Sequence, residues 1–208
     1  MQWVAMISMF LDHFGKSWFP YDPIWQIVGR LAFPIYAYFI AVGMNRTRSI
    51  PGYIRRLAVL AVLSQIPFSL LFNTWTINVI GTFLVSVGAL YLMERMPNHP
   101  VRYAWPAAAA LLMELISFDY GAYGLLLIVI YRYMQGHAML LTHLALNLAY
   151  MAWTGGVLQL FSLIPTVIFA YLTSSQRIEA YRVPSWLWRT FYPVHLAALY
   201  ASLILLQR

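Results

Sequence analysis

The chain has 208 residues, 62% of them hydrophobic and 9% charged, whereas a soluble domain carries about a quarter charged residues. That composition excludes a water-soluble globule and leaves room for about ten membrane-spanning helices at most. The net charge of +7 would suit nucleic acid, but the placement of the arginines explains most of it without one. No cysteine is present, so disulfides and a cysteine thioester are excluded and the redox compartment stays open.

Nine apolar stretches follow one another, over roughly 2–18, 23–44, 53–72, 77–94, 102–117, 120–134, 137–153, 157–173 and 186–206. The first is read as a retained short helix. It lacks a basic leader, and Asp12 and His13 interrupt the run that a signal peptide would keep apolar. The second opens on Asp22 and Pro23, a capping residue followed by the proline favoured at the first helical position. Connections are short, which predicts antiparallel neighbours. No repeat or linker divides the chain, so residues 1–208 read as one all-α polytopic bundle.

Basic residues mark alternate gaps between these stretches. Arg46, Arg48, Arg55 and Arg56 share one gap; Arg95 and Arg102 mark the next, Arg132 another, and Arg177, Arg182 and Arg189 the last. The intervening gaps hold Lys16 with Asp22, then Asn73 to Thr76, Asp119, and Thr154 to Gly156. Cytoplasmic loops retain Lys and Arg. The N-terminus is therefore expected in the cytoplasm and Arg208 outside. Trp18, Trp25, Trp75, Trp105, Trp153, Trp186 and Trp188 fall near predicted helix ends, where an interfacial belt puts tryptophan.

A charge inside the bilayer costs about 2.5 kcal/mol or more and needs a partner or a task. At about 1.5 Å per residue, Asp12, His13, Arg30, Gln65 and Asn147 lie roughly 7–12 Å below the outer surface, with Asn78, Glu114 and Asp119 at the outer helix ends. His143 and His195 come out deeper, near the midplane. Packing competes for each: Asp12 with Arg30 as an ion pair, Gln65 and Asn147 as interhelical glue, His143 as a satisfied core residue. Clustering of an acid, an imidazole and a guanidinium at one depth is better explained by a reaction site. Asp12 and His13 are sequence neighbours about 100° apart on a helix, so a direct hydrogen bond between them is not expected. Pro34, Pro67, Pro165 and Pro193 each remove a helical hydrogen bond and are expected to open the interior.

Several motifs appear in one order along the chain. They are Leu11-Asp12-His13-Phe14-Gly15, Gly29-Arg30-Leu31-Ala32-Phe33-Pro34-Ile35, Arg56-Leu57, Ser64-Gln65-Ile66-Pro67-Phe68, Ile77-Asn78, Asp119-Tyr120-Gly121, and Phe191-Tyr192-Pro193 with His195. Together they resemble the TraX family, membrane proteins named for the pilin N-acetylation step of conjugation and related to wider transmembrane acyltransferases. The resemblance runs from residue 8 to residue 196, and Val42 departs from it where the family pattern carries an acid. It implies a bacterial inner-membrane enzyme that moves an acetyl group from cytosolic acetyl-CoA to an acceptor at the outer face.

Under that reading His13 is the general base on an acceptor amine or hydroxyl. Asp12 and Arg30 support it, and His195 is the reserve candidate. Arg30 or Asn78 stabilises the oxyanion. Arg55, Arg56 and Arg189, with Arg46 and Arg132 behind them and Tyr192 deeper, are expected to hold the CoA phosphates and arm. Gln65, Asn78, Asp119 and Tyr120 are expected at the acceptor site, and no metal is expected. Two rivals stand beside it: a small-solute or proton-coupled transporter, disfavoured by the lack of matching halves, and a non-enzymatic assembly factor.

Overall fold

A computed structural model describes residues 1–172 and 183–206. The loop arginines Arg177 and Arg182 and the terminal Arg208 lie outside the described residues. Within them the chain is helical, with one isolated bridge between Ile77 and Phe118. The α-helices are α1 Gln2–Trp18, α2 Pro23–Gly29, α3 Ala32–Arg46, α4 Ile50–Phe72, α5 Val79–Glu94, α6 Ala104–Ile116, α7 Gly121–Tyr133, α8 Gly136–Thr154, α9 Leu163–Val167 and α10 Ser185–Leu206.

Helix starts follow local chemistry. Asp22 caps α2 by accepting from the Ile24 amide at 3.0 Å, with Pro23 in the first turn, as the sequence predicts. Ser49 caps α4 by accepting from Gly52 at 3.1 Å. Asn78 caps α5 by accepting from Ile80 and Gly81.

Two expected stretches differ from simple helices. The stretch 23–44 is broken at Arg30 and Leu31 into α2 and α3. Pro34 has no amide for the Arg30 carbonyl, and its ring crowds that carbonyl, so the helix kinks there although Arg30 and Leu31 keep right-handed helical dihedrals. The stretch 157–173 is a 3₁₀ turn at Val157–Ser162, then α9, then a π-helical turn at Ile168–Leu172. Pro165 likewise leaves the Phe161 carbonyl without its helical donor.

Consecutive helices from α4 to α8 pack as neighbours, as short connections require. The last helix does not stay at the edge: α10 packs on α4 and α1, while α1 also meets α2 and α3. The core gathers Phe33, Ile35, Val87, Leu90, Leu127, Ile128 and Leu196, all fully buried. On α4 the residues Val59, Val62, Leu63, Ile66 and Leu70 form an exposed apolar stripe at helical spacing. In water such a face would be polar; here it marks a surface made for lipid. Pro23–Arg46, Ile50–Phe72 and Ser185–Leu206 are long and apolar enough to cross a membrane.

The basic gaps meet at one end of the bundle. Arg132, at the end of α7, grips Glu94 at the end of α5 through Nε at 2.5 Å and Nη2 at 2.8 Å. Its Nη1 donates to Asn45 on α3 at 2.8 Å, and Tyr133 also donates to Glu94. One two-pronged guanidinium thus braces three helix ends.

Candidate functional site

A cavity of about 420 Å³ opens among α1, α3, α4, α5 and α10. Arg46, Arg56 and Arg189 line it, and its walls include Tyr36, Tyr38, Phe39, Tyr53, Trp188 and Tyr192. The Trp188 ring stacks on Tyr36 at 4.6 Å, and the Arg56 guanidinium lies 5.6 Å from the Tyr53 ring centre. Cations combined with aromatic planes suit a ligand that joins anionic groups to a flat or thin apolar body. Of the expected donor residues, Arg56, Arg189 and Tyr192 line this cavity. Arg55 does not: it is exposed and one residue around the helix from Arg56. Val42, the departure from the family pattern, is part of the wall, so no acid stands there among the arginines.

A much smaller cleft of about 20 Å³ is lined by Asp12, His13, Lys16, Gly29, Asp119 and Tyr120, with Met9, Ala32, Phe33 and Val79. Close helix contact makes it. A Cβ on Gly29 would sit 2.1 Å from Asp12 Oδ1, and one on Gly15 would sit 2.0 Å from Trp25 Cβ. Only glycine at these two positions lets α1 and α2 touch, which seats the Asp12 carboxylate against the backbone of α2. On the far side, Tyr120 adopts φ 63°, a left-handed conformation that an aromatic residue rarely takes and that costs about 1–3 kcal/mol. The surroundings hold it. The Asp119 amide donates to Ile77 O at 2.8 Å, Thr82 Oγ1 donates to Asp119 O at 2.5 Å, and the Tyr120 ring lies flat on Phe33 at 3.7 Å.

At the centre of the cleft's edge two histidines meet. His13 Nδ1 and His195 Nε2 are 2.8 Å apart, and the rings are nearly parallel. This overturns the expectation that His195 lies at a different depth from His13. Because α10 packs against α1, residues 182 positions apart in sequence share one site. The hydrogen-bond pattern also sets the tautomers. His195 Nδ1 is 2.7 Å from the Phe191 carbonyl, which can only accept, so that nitrogen carries the proton. With both rings neutral, His195 Nε2 accepts and His13 Nδ1 donates. His13 Nε2 is then left with its lone pair, 4.0 Å from Asp12 Oδ2. That distance is beyond hydrogen-bond reach, as neighbouring helical positions require.

The expected Asp12–Arg30 ion pair is replaced by another. Lys16 Nζ donates to Asp12 Oδ2 at 2.6 Å, one turn along the same helix. Arg30 instead has Tyr120 and Asp12 in its electrostatic neighbourhood, and its Nε has no partner. Gln65 and Asn78 sit together, with every polar atom engaged. Asn78 Nδ2 donates to Ala61 O and Gln65 Oε1, both at 2.8 Å, and Gln65 Nε2 donates to Thr76 O at 2.9 Å and Ser69 Oγ at 3.0 Å. They fasten α4 to the start of α5, and Asn78 keeps no donor for an oxyanion.

His143 and Asn147 belong to a separate buried network. His143 meets Tyr123 at 3.0 Å and Thr166 at 2.7 Å, while Asn147 accepts from Tyr123 at 2.8 Å and donates to Ser162 at 3.0 Å. This network joins α7, α8 and the segment 157–172, with Asn147 as interhelical glue and His143 as a satisfied core residue. Two of the tryptophans near helix ends also pack inward: Trp25 packs on Gly15 and Trp188 walls the large cavity. Lys16 was legible as the i+4 partner of Asp12. The Phe191 carbonyl and the wall residues Met9 and Val79 carry no sequence signal, because only tertiary packing puts them there.

No curated protein and no solved structure shows a significant match. Residues 1–202 match the family model described as TraX protein, which covers nearly the whole chain and all of the motifs that meet in the cleft. The chain belongs to the TraX family.

Proposed function

We propose that the protein is a multi-pass membrane acyltransferase that moves an acetyl group from acetyl-CoA to an amine or hydroxyl acceptor arriving from the opposite side. The observation that carries this reading is the adjacency of two unlike spaces. The large arginine-lined cavity and the small cleft holding His13 are both bounded by Met9 and Val79. The CoA phosphates rest on Arg56 and Arg189 at the cytoplasmic mouth, and the pantetheine arm follows the aromatic wall toward Tyr192. Nine spans, with the N-terminus inside and the other end outside, are consistent with this orientation.

His13 Nε2 takes a proton from the acceptor as its nitrogen or oxygen attacks the thioester carbonyl carbon. The carbonyl becomes a tetrahedral oxyanion, and Lys16 and the Tyr120 hydroxyl, with Arg30 in its electrostatic neighbourhood, supply nearby donors. Collapse of the intermediate breaks the carbon–sulfur bond. The imidazolium of His13 returns its proton to the departing thiolate, so free CoA and the acetylated acceptor result. Asp12, 4.0 Å from His13 Nε2, stabilises the imidazolium while it lasts. His195, pinned by the Phe191 carbonyl, keeps the basic nitrogen of His13 turned into the cleft.

Binding of acetyl-CoA to purified protein tests the reading. Arg56→Gln and Arg189→Gln should each weaken it about tenfold or more, and Arg55→Gln should leave it unchanged. Absence of measurable binding, or equal loss in all three variants, would favour the transporter or the assembly factor.

A further inference from the structure

Met9 and Val79 are the two residues that face both the large cavity and the small cleft. Met9 lies one helical turn before His13 on the same face of α1, and both Met9 and Val79 are nearly fully buried. Tyr192 lines the large cavity beside them, and its buried hydroxyl has no hydrogen-bond partner. The two spaces differ about twentyfold in size, about 420 Å³ against about 20 Å³. A site for one water needs about 10–15 Å³, so the cleft beyond the wall has room for a methyl-sized group and nothing longer.

We infer that Met9 and Val79 determine the length of the acyl chain the protein accepts. This rests on the large cavity being the donor site. For His13 Nε2 to act, the thioester carbonyl must stand at the wall, with CoA behind it and the acyl substituent ahead. That substituent then lies against Met9, Val79, Gly29 and Phe33. Gly29 cannot yield, because Asp12 occupies the space a side chain would need. The Phe33 ring is fixed by stacking on Tyr120. Met9 and Val79 are therefore the positions at which the space can be enlarged, Met9 through its flexible thioether chain and Val79 through loss of its branch.

The test uses detergent-purified full-length protein and three probes: free CoA, a CoA thioether ending in a methyl ketone, and its homologue with four more methylenes. Wild type should bind free CoA and should prefer the short ketone over the long one by about tenfold or more, since even one misplaced methylene in a tight pocket costs about tenfold or more. Met9→Ala and Val79→Ala should each bring the two ketones to within about threefold while still binding free CoA. Met9→Leu, close in volume, should behave as wild type and serves as the folding control. Equal affinity of wild type for both ketones, or an unchanged preference in both alanine variants that still bind free CoA, overturns the wall assignment. Failure of wild type to bind free CoA at all overturns the donor-site reading beneath it.

Discussion

A single backbone carbonyl does much to define the chemistry of the cleft. Phe191 O accepts from His195 Nδ1, and that fixes which nitrogen of His13 is left basic. His13→Ala should therefore retain acetyl-CoA binding and lose transfer by about 10²–10⁴-fold. His195→Ala should also lose transfer, by a smaller factor, because His13 keeps its ring but loses its orientation. Full activity in His13→Ala with none in His195→Ala would reverse the two roles. Asp119 gives a pH test at the same scale, since it lies in the turn between α6 and α7. Desolvation pushes its carboxyl up to about 6, Lys16 pulls it down, Asp12 adds to the rise and Arg30 opposes it. The folded state thus prefers the protonated carboxyl more than the unfolded chain does. Its contribution to stability is complete below about pH 4 and is lost as the pH rises through about 6. Asp119→Asn imitates the protonated form. It should melt above wild type at pH 7–8 and with it near pH 4, and parallel melting curves across that range would refute the assignment.

Among the elements, the junction of α4 and α5 shows how polar side chains inside a bundle serve structure. Asn78 caps α5 and donates both amide hydrogens to α4, so its loss removes a cap and an interhelical tie together. Asn78→Ala should cost about 1–3 kcal/mol of stability in detergent unfolding. Asn78→Asp, which keeps the cap acceptor but not the donors, should fall between it and wild type. A cost near zero for Asn78→Ala would mean that Gln65 and the Ala61 carbonyl find other partners. The break at Arg30 is the other element with consequences. Pro34 interrupts the second apolar stretch and leaves Gly29 on the short α2, where it receives Asp12.

For the whole molecule, the arginine cavity and the polar cleft occupy successive positions along the bundle, and their order fits the alternation of basic gaps. Reporters that work only in the cytoplasm, inserted after Asn98 and in the Arg46–Arg48 gap, should be active. The same reporters inserted after Gly155 or Asn73, or fused after Arg208, should be silent. Activity at Gly155 together with silence at Asn98 would invert the orientation and move the donor mouth to the outside.

Composition, hydrophobic runs and capping residues were enough to determine the helical, membrane-like character of the described residues, and they placed most helix ends within a few residues. These are local properties, written into each segment by the hydrogen-bonding and solvation needs of its own backbone. The ordered motifs Asp12-His13, Gly29-Arg30 and Tyr192 to His195 likewise picked out residues that come together. What tertiary structure alone decided was their pairing. Depth counted along separate helices placed His13 and His195 apart and matched Asp12 with Arg30, because such counting assumes straight helices and says nothing of which faces meet. Pro34 kinks the second apolar stretch, Gly15 and Gly29 let α1 and α2 touch, and α10 packs onto α1. Those contacts pair histidine with histidine, leave Asp12 to the lysine one turn along its own helix, and put Met9 and Val79 between the two cavities.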